Sequence, residues 1–277
     1  MKYCFLRFPN GRAKAFTMSY DDGCRADIRF SEIITKYGLK CTFNLTNAET
    51  LSTDEVKKYI LANGHEIAVH GANHRAEGAI RPIEGITDVL SSRINLEERF
   101  ERIVRGMAFP DSGITKCHTT DYETIKGYLK NLDIAYARTL GGDNNSFALP
   151  TDWHAWMPTA HHTNPLIMDY IDEFLNIDTK NCYRAAKYPK LFYLWGHSYE
   201  FDNDNNWDLL ESICEKVSGK DDIWYATNIE IYEYVNAYNS LIFSADGTRI
   251  YNPTLFEIWF DIDENMYHIK SGETIKI

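Results

Sequence analysis

The chain has 277 residues, 44% hydrophobic and 25% charged, the balance of an ordinary globular protein with a sizeable core. Its formal net charge of −11 argues against nucleic acid or an anionic membrane surface as partner, because both repel a negative protein. Residues 1–9 hold no apolar run long enough for a signal peptide, and no segment approaches the roughly 18 apolar residues of a membrane span, so as written the chain is expected to be cytoplasmic, or secreted if a leader has been removed.

In chain order, apolar runs at 13–20, 41–45, 66–70, 107–109, 134–138, 191–197 and 223–226 predict buried strands. Amphipathic patterns at 30–37, 54–63, 88–105, 121–132, 167–175, 208–217 and 229–238 predict helices between them. Ser52-Thr53-Asp54-Glu55 fits a capping box and Asn63-Gly64 a helix stop. Such alternation predicts parallel βαβ units, hence an α/β fold. Residues 141–163, beginning Gly141-Gly142, form a long loop of the kind that is often functional. After residue 238 the pattern changes: Ser244-Ala245-Asp246-Gly247-Thr248 carries a hairpin signature, followed by strand-like 255–262 and 267–277. The reading is one main domain over 1–240 and a β-rich extension over 241–277 packed on it, too small for an independent module.

Two stretches carry chemistry. Ser19-Tyr20-Asp21-Asp22-Gly23 ends the first long strand, and His70-Gly71-Ala72-Asn73-His74 follows another. Neighbouring side chains of a strand point to opposite faces, so Asp21 and Asp22 reach one site only where the backbone turns, which Gly23 permits. Two adjacent carboxylates repel unless a cation neutralises one. The doublet suits a division in which Asp22 holds a metal and Asp21 takes a proton from water. His70 and His74, four apart, share a face if they lie on one helical turn. Three ligands leave a catalytic position open, and imidazole with carboxylate fits zinc, cobalt, nickel or iron better than magnesium or calcium. Every candidate falls at the carboxyl end of a strand, where α/β barrels place their sites.

Here the chain resembles a known family. Phe16-Thr17-Met18-Ser19-Tyr20-Asp21-Asp22-Gly23 is similar to the first motif of the polysaccharide deacetylases, the NodB-homology or carbohydrate esterase family 4 enzymes, and His70 to His74 resembles the second, with Gly71 in place of a hydroxyl residue. Gly106-Met107-Ala108-Phe109-Pro110-Asp111-Ser112-Gly113 resembles the third motif without its arginine and tyrosine, Asp152-Trp153 the end of the fourth, and Leu191 to His197 the fifth. The resemblance spans roughly residues 13–238 and implies a distorted (β/α) barrel, here of about seven parallel strands with a small C-terminal β appendage. It implies metal ligands Asp22, His70 and His74, a base at Asp21, an acid at His197, and an oxyanion donor at the N–H of Asp111. In the family an arginine orients the base; Arg138, ending another apolar strand, is the candidate substitute from a different loop. Glu200 or Asp202 is a candidate carboxylate near His197, or simply a solvated loop.

The activity implied is metal-dependent removal of acetyl groups from an N-acetylated, or secondarily an O-acetylated, poly- or oligosaccharide, a carbon–nitrogen bond hydrolysis outside peptides. The partner is then an acetylated carbohydrate, and the cofactor a divalent metal, zinc first. Trp153 or Trp156 either stacks on a sugar ring or covers the barrel mouth. The alternative function is a catalytically silent glycan-binding protein on the same fold. His161-His162 is read as structural, since adjacent histidines rarely ligate one ion, and His65, His118, His154 and His268 carry no context. The six cysteines, Cys4, Cys24, Cys41, Cys117, Cys182 and Cys214, form no Cys-x-x-Cys pair, which speaks against a zinc ribbon or redox motif. Asp261 to Asn265 lacks the glycine and glutamate of a calcium loop. The sequence does not indicate an oligomeric state.

Overall fold

A computed structural model describes residues 3–111, 113, 114, 119–140, 143–179 and 187–277. Cys117, Cys182, His118, Ser112 and the Gly141-Gly142 pair lie outside the described residues.

The strands are β1 (Cys4–Arg7), β2 (Lys14–Asp22), β3 (Cys41–Leu45), β4 (Glu66–Val69), β5 (Gly106–Ala108), β6 (Tyr136–Arg138), β7 (Ala160–His161), β8 (Lys190–Gly196), β9 (Ile223–Tyr225), β10 (Ile242–Phe243), β11 (Arg249–Tyr251), β12 (Ile258–Ile262), β13 (Asn265–Ile269) and β14 (Thr274–Lys276). The helices are α1 (Ala26–Lys36), α2 (an α turn Thr53–Glu55, a π turn Val56–Ile60 and a 3₁₀ turn Leu61–Asn63), α3 (Pro82–Phe100), α4 (Tyr122–Asn131), α5 (Ile167–Asn176), α6 (Tyr199–Asn203), α7 (Trp207–Val217) and α8 (Asn228–Asn239).

Among the described residues an eight-stranded parallel sheet runs β6-β5-β4-β3-β2-β8-β7, with β9 also on β2. Strand β8 lies along β2 from Lys14 to Tyr20, so β3 (from Met18 to Asp22) and β9 (from Lys14 to Phe16) share the other edge. This is a distorted (β/α) barrel. The seven strands expected from the sequence are all present, and the eighth, β7, lies inside the stretch read as a long loop. That stretch closes the barrel: Trp156 N–H donates to Ala137 O at 3.0 Å and Thr139 N–H to Trp156 O at 2.9 Å, while Thr159 N–H donates to Tyr193 O at 2.8 Å. The segment thus leaves β6 at one end and joins β8 at the other.

Alternation sorts the side chains. Phe16, Met18 and Tyr20 of β2, Cys41, Phe43 and Leu45 of β3, and Phe192 and Leu194 of β8 face the helix layer and pack with Phe30 and Ile34 of α1, Val89 and Leu96 of α3, and Ile213 and Val217 of α7. Many of the inward positions are polar instead. At the amino end, Glu66 accepts from Thr42 Oγ1 (2.7 Å), Tyr136 OH (2.7 Å) and Ile229 N–H (2.9 Å), the last at the start of α8. Above it Thr17 Oγ1 donates to Asn228 Oδ1 at 2.9 Å, and Asn44 Nδ2 to Ser19 Oγ at 2.7 Å.

Helix starts follow local chemistry. Helix α3 begins at Pro82, six residues before the expected position, because proline suits the first helical turn, and it ends at Glu101 in the left-handed region (φ 54). The Ser52 to Glu55 capping box and the left-handed Gly64 stop (φ 72) form as expected. The Asp246-Gly247 hairpin joins β10 to β11. In the C-terminal strands β12 pairs with β13 and also, antiparallel, with the amino-terminal β1. Their apolar side chains, Ile258 and Phe260 among them, pack with Leu6, Phe8, Ala15 and Leu191 and with Tyr234 of α8, at the end of the barrel opposite the carboxyl ends of the strands. Among the described residues no helix is long and apolar enough to cross a membrane, and Cys4, Cys24, Cys41 and Cys214 are free.

Burial pushes the Glu66 carboxyl up to about 7, against the three donors that favour its anion. A folded-state value raised above the unfolded one means that the native state binds more protons between the two, so stability is fullest below the ordinary glutamate range and falls as pH rises through 7. A shift of that size corresponds to at most about 3 kcal/mol. Urea unfolding from pH 5 to 8 should show a decline in the parent that Glu66→Gln, a mimic of the protonated form, largely lacks; equal slopes would mean that Glu66 is ionised throughout.

Candidate active site

The carboxyl end of β2 turns as the doublet requires, and Asp22 itself takes the left-handed conformation (φ 81) before Gly23 (φ 69). That turn points both carboxylates toward the barrel axis, at a modest backbone cost for a non-glycine residue. Asp22 Oδ1 lies 3.5 Å from His70 Nε2 and 3.4 Å from His74 Nε2. Donors held about 2.1 Å from one tetrahedral ion stand roughly 3.4 Å apart, so the set fits a single divalent cation. His70 is buried, which pulls its pKa below the ordinary range, and its Nδ1 lies 2.9 Å from Ala108 O, leaving a neutral Nε2 lone pair toward Asp22.

The helical turn expected for His70 and His74 is not there. Residues 70–74 are a bend in which Gly71 (φ 71) and His74 (φ 50) are left-handed. Asp88 of α3 holds it: its Oδ1 accepts from Asn73 N–H at 3.0 Å and from Asn73 Nδ2 at 2.6 Å. A Cβ on Gly71 would stand 2.6 Å from Asp88 Oδ2 and 3.6 Å from Pro110 Cγ. The glycine that departs from the family's hydroxyl residue is therefore what lets Asp88 reach the loop. The 2.9 Å contact of His70 Nδ1 with Ala108 O sets the third motif beside the second, and Asp111 follows, exposed and left-handed (φ 50).

Asp21 is buried beneath this triad. Its Oδ1 accepts from Asn44 Nδ2 at 2.7 Å, and its Oδ2 accepts from Arg138 Nη2. Burial opposes its charge, but Arg138, His70, His197 and the Asn44 bond together hold the carboxyl below its usual range. Arg138, fully buried at the end of β6, lies with its guanidinium 4.4 Å from the Trp195 ring centroid. His197, just beyond β8, sets Nε2 4.0 Å from both Asp21 Oδ2 and Asp22 Oδ2. Burial disfavours its charge, yet Glu200, Asp21 and Asp22 outweigh that and raise its pKa. A cavity of about 370 Å³ adjoins the triad, lined by Asp22, Gly23, Cys24, Thr46, Ala48, Thr50, His74 and Tyr199.

The structure does not bring the fourth-motif pair here. Asp152 accepts from Tyr122 OH (2.7 Å) and Lys126 Nζ (2.5 Å), and Trp153 packs edge-on against Trp156 (4.9 Å) and Tyr232 of α8 (5.1 Å). Trp156 is buried between Tyr136 and Tyr193. Neither indole serves as a platform at the site. Sequence reasoning missed Asn44, Asp88, Tyr199 and His161; a polar residue near the end of a buried strand was the available signal for Asn44.

With this geometry in place, the family recognised in the motifs is the one that matches: the polysaccharide deacetylase model aligns with residues 9–128, which carry Asp21, Asp22, His70, His74 and Pro110. Over that stretch, less than half of its length, the chain is similar to the polysaccharide deacetylases. Its fold is shared with a protein of Mycobacterium smegmatis assigned to the polysaccharide deacetylases (16% identity, TM-score 0.60, covering 84% of this chain and 94% of that one). It is shared too with the Xyl-CE4 domain of a multidomain xylanase from the hindgut metagenome of Trinervitermes trinervoides (14%, 0.53, 82% and 92%) and with Puue allantoinase (13%, 0.58, 82% and 91%). At these identities the likeness is one of fold. No curated protein sequence matches the chain.

If Asp88 sets the metal loop through the space that Gly71 leaves, restoring the family's usual residue should harm it. Gly71→Ser should weaken zinc affinity by about 10-fold or more in competition with a chromophoric chelator. Unchanged affinity would show that the loop holds its shape without that close approach.

Proposed function

We propose that this protein is a metal-dependent hydrolase that removes acetyl groups from an N-acetylated poly- or oligosaccharide, with O-acetyl groups as lesser substrates. The observation that carries the reading is the meeting of Asp21, Asp22, His70, His74 and His197 at one end of the barrel. Asp22, His70 and His74 would hold the cation, zinc first, with cobalt, nickel or iron suited to the same donors. Bound there, the cation acidifies water and polarises the acyl oxygen.

The remaining steps fall to the chain's own groups. Asp21, ionised and pinned by Arg138 and Asn44, accepts the proton of the attacking water. The N–H of Asp111 supports the oxyanion. His197 gives a proton to the departing atom, a need felt most by an amide, whose nitrogen leaves only once protonated. That requirement supports N-acetyl over O-acetyl substrates. For the sugar, the partly exposed Tyr199 ring, 5.2 Å from the His197 ring, and the hydroxyls of Thr46 and Thr50 in the same cavity offer an aromatic face with polar neighbours.

Acetate release from a panel of acetylated oligosaccharides, with and without a chelator, tests the reading, and metal binding without acetate release from any glycan would favour a silent binding protein. Asp21→Asn should keep its metal by elemental analysis and lose at least about 100-fold in turnover; turnover at the parent's rate would remove Asp21 as the base. Tyr199→Ala should raise KM for an oligosaccharide about 10-fold with little change in kcat, and Tyr199→Phe should not. A KM indifferent to the ring would exclude Tyr199 from the sugar site.

A further inference from the structure

Beside the five residues of the proposed reaction, three imidazoles meet one carboxylate oxygen. Glu200 Oε2, on α6, lies 3.2 Å from His161 Nε2, 3.3 Å from His197 Nδ1 and 3.5 Å from His162 Nε2, and accepts the His197 backbone N–H at 3.0 Å. His161 ends the closing strand β7 and His162 follows it, whereas His197 follows β8. The pairing of Ala160 with Leu194 and His161 with Trp195 sets these two strands in register, so barrel closure itself brings the imidazoles to the carboxylate.

The protons can be assigned from the outer contacts. Thr163 N–H donates to His161 Nδ1 at 3.2 Å and the Thr163 hydroxyl stands 2.7 Å from the same nitrogen; with both donating to Nδ1, the proton of a neutral His161 sits on Nε2, facing Glu200 at 3.2 Å. His162 is fully buried, stacked 4.2 Å from Phe201, and burial above all, then its histidine neighbours, pushes it down to about 3, so it stays neutral. Its place is tight, because a Cβ on Gly196 would collide with its ring. Glu200 is thus held by two donors, the His161 ring and the His197 backbone, with the same oxygen facing His197 Nδ1. At 3.3 Å that oxygen is within ion-pair reach of Nδ1 but off the line of a hydrogen bond, so its charge draws a proton to that nitrogen, and the far nitrogen, Nε2, lies 4.0 Å from both Asp21 and Asp22.

His161, His197 and Glu200 also have the spacing of metal ligands. A ligand nitrogen needs its lone pair where His161 carries its proton, and the other tautomer would give up the bond from the Thr163 N–H and leave its Nδ1 proton to the Thr163 hydroxyl alone. The cluster is therefore read as a clamp.

We propose that Glu200, held by His161 from the closing strand, is the positioning residue of His197: it holds the proton that stays on Nδ1 and turns Nε2 toward the leaving atom, so that the proton transferred is the one on Nε2. The proposal rests on the deacetylase reading for its chemical consequence, but its geometry can be tested apart from it. In long-range ¹⁵N–¹H spectra of the parent, His161 should show the Nε2–H tautomer, and the His197 ring nitrogens should change their pattern in Glu200→Gln. An unchanged His197 pattern overturns the proposal, whether or not any acetyl group is released; activity on no acetylated substrate, with the spectral change present, would sink the deacetylase reading alone.

In turnover, Glu200→Gln should lose about 100-fold in kcat on an N-acetyl oligosaccharide, with KM little changed, and only a few-fold on p-nitrophenyl acetate, whose phenolate departs without a proton. Equal losses on both substrates at normal metal content would mean a structural role only. His161→Gln, whose amide can still donate to Glu200, should keep most of the activity that His161→Ala loses. Two zinc ions per parent chain, falling to one in His161→Ala, would make the cluster a second metal site and overturn the clamp.

Discussion

The buried pair of Asp21 and Arg138 is the interaction on which the rest of the site depends. A carboxylate with 2% exposure is unfavourable in a protein interior unless other groups replace the water it has lost. Arg138 and Asn44 supply that replacement, one on each oxygen. The guanidinium is as deeply buried, and among the described residues its Nε and Nη1 have no hydrogen-bond partner, so its charge rests on Asp21 and the face of Trp195. Neither member is well placed alone. Removing either would leave an uncompensated charge within the barrel, which is costlier than the pair is stabilising.

This constraint explains the composition of the barrel axis. Strands β2, β3 and β4 place polar side chains inward near their carboxyl ends and apolar ones against the helices, so the larger hydrophobic cluster lies outside the sheet, while Ala15 and Leu191 join a second apolar cluster at the amino end. From Glu66 through Thr42, Asn228 and Asn44 to Asp21, donors and acceptors succeed one another along the interior. A barrel built this way holds a charge at its carboxyl end because the layer beneath that charge is already hydrogen-bonded.

Much of this was legible in the sequence, and the failures have physical reasons. Period-two strands and capped helices announce themselves locally, and Arg138 stood out as a charge ending an apolar run. The spacing of His70 and His74 was misread as helical because four-residue separation serves a helical turn and a bend alike; the choice is made by left-handed Gly71 and by Asp88, far along the chain. Strand β7 has two residues, and its conformation comes from β8 and not from local propensity. Trp153 matched a motif in letters, but its side chain is claimed by Trp156 and Tyr232.

Two of the departures from the family's motifs have answers in neighbouring elements. Arg138 of β6 occupies Asp21, which the third motif leaves without its arginine, and Asp88 of α3 holds the loop whose hydroxyl residue has become Gly71. The metal-ligand candidates and Asp21 all lie within the matched stretch 9–128, whereas Arg138, His161, His197 and Glu200 lie beyond it. Of these, Arg138 and His161 sit on the strands at the two sides of the closing segment, joined through Trp156. Because the fold is shared with an allantoinase, the barrel alone does not choose the bond that is cleaved. In the proposed reaction the cation and base act on the acyl carbon, a demand common to many acyl compounds, while the departing atom meets His197 and its clamp. Discrimination among leaving groups is therefore expected to reside in the closing side of the barrel, beyond the matched stretch.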